Sequence, residues 1–282
     1  MTLSYTSSGA APPALRTILV TGSTDGIGKA TALALARMGH RVLVHGRDPA
    51  KGRAVLGEVR KAGSPGPDLF TGDLSTLAGI RGLAADVVDR YDRIDVLVNN
   101  AGVYREERVL TADGLETTFA VNLLAPFQLS HLLLPLLRAA APSRIVNVAS
   151  SAHFDAERMD WDNLQGEKRY RAWDIYAQSK LGVVLMTAAF ARRLDPAQVT
   201  VNCLHPGVIC TKLLESAFPS YPCEPVETGA RTPVYLATSP EVAGVTGRYF
   251  EDMREARPSQ GARDRDTGER LWGILADIAG IP

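Results

Sequence analysis

Tyr176 and Lys180 stand four residues apart, as Tyr176-Ala-Gln-Ser-Lys180, inside a segment from Trp173 to Leu194 with a helical pattern. Side chains four apart share one face of a helix, so the phenol and the ammonium are neighbours. A free phenol titrates near pH 10, too high for an efficient general base at neutrality. A nearby positive charge favours the phenolate and lowers that value. The pair therefore reads as a unit that gives a proton to an oxygen or takes one from it. Ser150 and Ser151 end an apolar run and offer a hydroxyl to orient the same oxygen.

A second constellation lies near the N-terminus. Thr21-Gly-Ser-Thr-Asp-Gly-Ile-Gly28 falls between a β-branched apolar run and an Ala/Leu-rich segment. Glycines let the backbone turn sharply and approach an anion, and the N-terminus of the helix that follows supplies free N–H groups. The loop is not a Walker loop, because Ser23 stands where the first glycine is needed and Ala30 follows Lys29. Nor is it G-x-G-x-x-G, since its glycines fall at 22, 26 and 28.

These residues need a scaffold, and the chain supplies an alternating one. Strands are expected at 17–20, 42–44, 69–71, 95–98, 145–148 and 199–204. Helices are expected at 30–38, 49–61, about 75–91, 115–138 and 173–194, with a terminal helix near 267–279. Apolar runs without alternation read as parallel strands buried on both faces. Strand–helix alternation then gives right-handed crossovers. The fold class is α/β: one Rossmann-type domain over 16–282, with a doubly wound parallel sheet of about seven strands and helices on both faces. Residues 1–15 read as a mobile leader without a signal-peptide pattern.

Composition narrows the function. The chain has 282 residues, with 31 Lys plus Arg against 31 Asp plus Glu. That zero balance argues against a nucleic-acid partner. No uninterrupted apolar run is long enough for a membrane span. Three cysteines, at 203, 210 and 223, form no C-x-x-C pair, so neither a disulfide framework nor a zinc site is indicated. The expectation is a reduced, cytoplasmic protein. None of the five histidines sits in H-E-x-x-H, so no catalytic metal is expected.

The variant Thr-Gly-x-x-x-Gly-Ile-Gly resembles the short-chain dehydrogenase/reductase family, and the likeness continues along the chain. Asp73-Leu74, Asn99-Asn-Ala-Gly102, Asn122, Ser150-Ser151, Tyr176-x-x-x-Lys180, and Pro206-Gly207 with Thr211 follow in the family's order. The resemblance implies a nicotinamide dinucleotide held by Gly22, Ser23, Thr24, Asp25, Gly26, Ile27 and Gly28 of the loop. Asp73, Leu74, Asn100, Ala101, Gly102, Tyr176, Pro206, Gly207 and Thr211 would complete its site, with Lys180 on the ribose hydroxyls. It implies Tyr176 as general acid/base, helped by the positive charge of an oxidised nicotinamide. It implies Ser151 as the substrate-orienting serine, with Ser150 as the alternative, and Asn122 as holder of a water that links Lys180 to solvent.

Ser151 and Tyr176 are separated by 24 residues, against about a dozen in many members. This insert, its Leu164-Gln-Gly-Glu-Lys168 segment, Gly247-Arg-Tyr-Phe250 and the late Arg270-Leu-Trp272 resemble the retinol-dehydrogenase-like branch. That branch implies a lipophilic aldehyde, ketone or alcohol as substrate. His153 is a candidate substrate contact, Trp161, Tyr170 and Trp173 are expected to line or cover the pocket, and His205 is expected to be structural. A substrate lid is expected near 208–230. The family's acidic position at the end of the second strand falls on Gly46, and Arg47 follows it. A guanidinium there suits the 2′-phosphate of NADP(H), favoured over NAD(H), while Asp48 is a rival that would suit NAD. Family members often pair through the two long helices, which implies a homodimer. Non-redox use of the site, or a silent cofactor-binding regulator, stand as alternative functions.

Overall fold

A computed structural model describes residues 15–281; all of the expected leader except Leu15 lies outside them. One sheet runs through the molecule in the order β3-β2-β1-β4-β5-β6-β7-β8. The strands are β1 (Thr17–Val20), β2 (Arg41–Gly46), β3 (Asp68–Thr71), β4 (Val96–Asn99), β5 (Ser143–Val148), β6 (Val199–His205), β7 (Tyr249–Glu251) and β8 (Arg254–Ala256). The first seven are parallel, and β8 returns antiparallel along β7. That hairpin is one strand more than expected. Its turn is made by Asp252 and Met253, both with positive φ, as two-residue hairpin turns require. Asp252 is a common turn residue, but Met253 stands where an Asp-Gly signal would have its glycine, and this hid the strand.

Side chains on each strand alternate between two cores. Ile18, Val20, Val42 and Val44 pack with α1 (Gly26–Arg37), α2 (Pro49–Lys61) and α10 (Arg231–Thr238). Leu19, Leu43, Leu97 and Ile145 face the other way. There they meet α3 (Leu77–Arg90), α5 (Ala125–Leu132), α6 (Leu134–Ala139), α7 (Ala172–Arg193) and α11 (Arg265–Ala279). Three short helices complete the set: α4 (Thr117–Phe119), α8 (Lys212–Ala217) and α9 (Val226–Gly229).

The single helix expected over 115–138 is broken instead. α4 passes into a π-helical turn, Ala120–Leu124, before α5 begins. Pro126 and Pro135 fall in the first turns of α5 and α6, where a missing N–H does least harm. Pro126 also removes the N–H that a continuous α-helix would present to the carbonyl of Asn122.

α11 lies across α7 and α5. Trp272 packs edge-on against Phe127 and Phe190, with ring centroids 4.9 and 4.7 Å away. Glu269 pairs with Arg192 and Arg193, and the Ala279 carbonyl accepts from Gln128 and Arg81. The chain's own C-terminal helix therefore packs on both of the helices through which pairing was expected. No helix among the described residues is long and apolar enough to cross a membrane.

Candidate active site

A cavity of about 810 Å³ opens at the C-terminal ends of the parallel strands, the position where open α/β sheets bind ligands. The glycine loop forms one wall through Gly22, Thr24, Asp25, Gly26, Ile27 and Gly28. Gly28 has to be glycine, because a Cβ there would collide with the Asn100 amide and the Gly22 carbonyl. Asn100 in turn donates to the carbonyls of Thr21 and Gly22, at 2.9 and 3.3 Å. Asp25 caps α1 through the N–H of Gly26. Among the described residues, the N–H groups of Ile27 and Gly28 have no hydrogen-bond acceptor. Two orphan donors at a helix N-terminus, on a cavity wall, suit a dinucleotide pyrophosphate.

Ser23 departs from expectation. It is fully buried and absent from the wall, because its hydroxyl accepts from the N–H of His45 and its own N–H donates to the His45 carbonyl. His45 had no signature in the sequence. Its Nδ1 accepts from the Gly22 N–H at 3.2 Å. Burial holds the ring neutral, with its pKa lowered to about 4. It braces the glycine loop from β2.

Asp48 accepts from the N–H groups of Ala50 and Lys51, as the cap of α2, and is not on the cavity wall. Gly46 leaves room for Thr24, which any side chain at 46 would strike. Arg47 is exposed and lines the cavity. Asp73, Leu74, Ala101 and Gly102 follow along the wall, with Pro206, Gly207 and Thr211 on its far side.

Tyr176 and Lys180 project from α7 onto the same cavity. The Lys180 ammonium donates to the Val148 carbonyl at 3.0 Å and sits 5.6 Å from the centre of the Tyr176 ring. The expectation that Lys180 lowers the phenol's pKa is corrected here. Burial dominates both groups, pushing Tyr176 up to about 12 and Lys180 down to about 8. The nearby Ser150 side chain acts in the opposite sense and favours the phenolate.

Both serines of the pair line the cavity, and Ser150 is the one whose side chain bears on the phenol's pKa. Ser150 Oγ accepts from the Ala152 N–H at 3.1 Å, which leaves its own hydrogen free to donate. A short 3₁₀ turn, Ser151–Phe154, starts at this point. In a Ser-Ser pair nothing but backbone geometry distinguishes the two.

Two further expectations change. Asn122 is buried and off the wall: its amide oxygen accepts from the Val103 N–H at 2.8 Å, and its amide nitrogen donates to the Val103 carbonyl and to Ser179. Its side chain thus fixes the turn after β4, and only its carbonyl is available to a water. His153 is wholly buried and contacts the backbone of Ser150 and Ser259, so it is no substrate contact.

An aromatic file borders the phenol. Trp173 stacks on Tyr176 at 5.7 Å and meets Phe218 edge-on at 5.0 Å, and Phe218 meets Tyr221 at 5.9 Å. Trp161 and Tyr170 do not join it. Trp161 lies under Arg270, and the Tyr170 hydroxyl donates to the Arg105 carbonyl and to Glu116. The segment expected to form a lid borders the cavity through α8, where Thr211 caps the helix and Lys212 pairs with Asp25 of the glycine loop at 2.5 Å. Cys210 and Cys223 form a disulfide, contrary to the reading of three free thiols. The segment doubles back, with Cys210 N–H on the Glu224 carbonyl and Glu224 N–H on the Val208 carbonyl, and this brings the two Cα atoms to 5.1 Å. A separation of 13 residues without C-x-x-C gave no hint of it.

Comparison with known proteins agrees with this geometry. The family model for short chain dehydrogenases matches residues 16–221. Retinol dehydrogenase 14 of Mus musculus is 39% identical over 293 residues, covering 94% of this chain and 86% of that protein. An uncharacterized protein from Mycobacterium paratuberculosis has a crystal structure that superposes with a TM-score of 0.79 at 30% identity, over 94% of each chain. The RhlG/NADP active-site complex of Pseudomonas aeruginosa superposes with a TM-score of 0.70 at 25% identity, over 86% of this chain and 97% of that one. The chain belongs to the short-chain dehydrogenase/reductase family, in its retinol-dehydrogenase-like branch, whose members are NAD(P)-dependent oxidoreductases acting on CH–OH and C=O groups.

Proposed function

With that family as the premise, we propose that the chain interconverts a lipophilic carbonyl compound and its alcohol with NADP(H). The observation that carries this reading is a single cavity holding both halves of the chemistry. The glycine loop and Arg47 border one end, and Tyr176, Ser150 and Trp173 the other. A bound reduced nicotinamide dinucleotide supplies the hydride for the carbonyl carbon. When substrate binds, the Ser150 hydroxyl turns its single hydrogen from the phenol to the carbonyl oxygen and orients it. Tyr176 passes its phenolic proton to that oxygen as the alcohol forms, and takes it back in the reverse direction. With its pKa raised by burial, the free phenol stays protonated at neutrality, so it is ready as the acid for reduction. Lys180 would hold the ribose hydroxyls of a bound cofactor. Asn122 keeps the turn 99–103 in register with Tyr176 through Val103 and Ser179.

Three observations support NADP(H): Arg47 on the cavity wall, no carboxylate at position 46, and Asp48 committed to its helix cap. The aromatic file and the lid residues Leu213 and Leu214 support a lipophilic substrate. The relative named retinol dehydrogenase points the same way. We also propose that the chain does not pair through α5 and α7, the face that α11 covers.

The test is oxidation of NADPH and of NADH against lipophilic aldehydes and ketones. Turnover is expected with NADPH, and Arg47→Ala should weaken NADPH binding about tenfold or more while leaving NADH binding unchanged, the size of one charge-assisted hydrogen bond. Preference for NADH, or equal loss for both cofactors, would contradict the NADP assignment.

A further inference from the structure

The peptide that joins Ser150 to Ser151 is held from both ends by imidazoles. Its carbonyl oxygen lies 2.6 Å from Nδ1 of His153. Its N–H donates to Nδ1 of His205 at 3.1 Å. The two rings come from different places, one from the turn after β5 and the other from the last position of β6. A third contact fixes their protonation. Nε2 of His153 accepts from the backbone N–H of Ser259 at 3.2 Å. A neutral ring that accepts at Nε2 carries its hydrogen on Nδ1, so His153 is the donor to the Ser150 carbonyl. His205 accepts at Nδ1, so its hydrogen is on Nε2. The two rings are therefore opposite tautomers, each matched to one end of the same peptide.

We propose that His153 and His205 form a two-imidazole clamp that positions Ser150 for its role in the reaction, resting on the reading of Ser150 as the orienting donor. Both are positioning residues. They fix the plane of the 150–151 peptide, and with it the direction of the Ser150 side chain, which the Ala152 N–H then orients from its other side. A donor misplaced by about 1 Å costs on the order of a hundredfold in rate. The clamp also ties Ser150 to the segment before α11, because Ser259 sets the tautomer of His153.

The arrangement is sensitive to acid. A proton on Nδ1 of His205 turns an acceptor into a donor facing the N–H of Ser151. The charged and titratable groups around His205 are Glu251 of β7, which favours that proton, and Lys180 of α7 and His153, which oppose it along with burial. Their sum keeps His205 neutral until the pH falls below the ordinary histidine range.

Two measurements test the clamp. The first is ¹⁵N NMR of histidine-labelled wild-type protein at neutral pH, expected to show His153 as the Nδ1–H tautomer and His205 as the Nε2–H tautomer. Matching tautomers, or a protonated ring, would overturn the proposal whether or not a substrate is known. The second compares His205→Leu with His205→Asn, whose amide oxygen sits where Nδ1 was, and His153→Leu with His153→Asn. The Leu variants should lose about ten- to a hundredfold in kcat, with NADPH affinity within about twofold. His205→Asn should recover most of that loss and lack the wild type's fall in activity at acid pH. Unchanged kcat in His205→Leu, or an equal loss in His205→Asn, would overturn it. If the Leu variants fail to fold, the NMR result alone decides. If Tyr176→Phe leaves turnover intact, the functional reading fails, and the NMR still judges the clamp.

Discussion

Ser150, Tyr176 and Lys180 illustrate how burial outweighs charge at this site. The ammonium is committed to the Val148 carbonyl, and desolvation raises the phenol to about 12. Among the described residues, the Ser150 side chain is the group that favours the phenolate. Ser150→Ala should therefore cost about a hundredfold in kcat, the scale of removing one oriented donor. Ser151→Ala should cost less than about threefold, since its hydroxyl has no partner among the described residues. Equal losses, measured by steady-state kinetics on the two variants, would contradict the assignment. Residue types at the site were legible from the sequence, including Tyr176, Lys180, Arg47 and the loop glycines. Orientation was not. Ser23 and Asn122 have the right types but spend their polar atoms on backbone, and His45 and His205 work through contacts 23 and 54 residues away in the chain.

Among the elements, the lid departs most from what the sequence suggested. Strands and helices with strong apolar patterns fell close to their expected bounds, as β1 and α2 show. The lid has no such pattern, and its shape comes from backbone pairing between 208–210 and 224, sealed by the Cys210–Cys223 bond. A cross-link over a loop of this size restrains open forms by about 3 kcal/mol on the chain-entropy view. Phe218 and Tyr221 lie inside that loop and border the substrate end of the cavity. Reduction of the disulfide should therefore speed amide hydrogen exchange across 208–224, leave β4 to β6 unchanged, and raise KM for a lipophilic substrate more than it lowers kcat. Exchange that is the same in both redox states would show that the bond does not hold the lid. The break in the helix over 117–139 has a local cause that the sequence did contain, in Pro126 and Pro135. What hid it was the uniform apolar character of the segment, which masks a change of helical phase.

At the scale of the whole molecule, the doubly wound sheet was legible because its central strands are buried on both faces and so carry no alternation. How the outer helices are covered was not, because an apolar face looks the same whether its own chain or a second copy lies on it. Here Trp272 fills the space between Phe127 and Phe190. Light scattering should give the mass of one chain, and a truncation before Arg265 should associate or precipitate as those two rings are uncovered. A stable dimer of the full chain that survives Trp272→Ala would place pairing elsewhere on the surface. The account as a whole depends on one cavity doing proton transfer and cofactor binding as separable tasks. The most direct test is Tyr176→Phe, assayed for NADPH-dependent reduction of a lipophilic carbonyl alongside NADPH binding. The prediction is a fall in kcat of at least about a hundredfold, with the dissociation constant for NADPH unchanged within about twofold. Turnover retained, or binding lost together with activity, would contradict it.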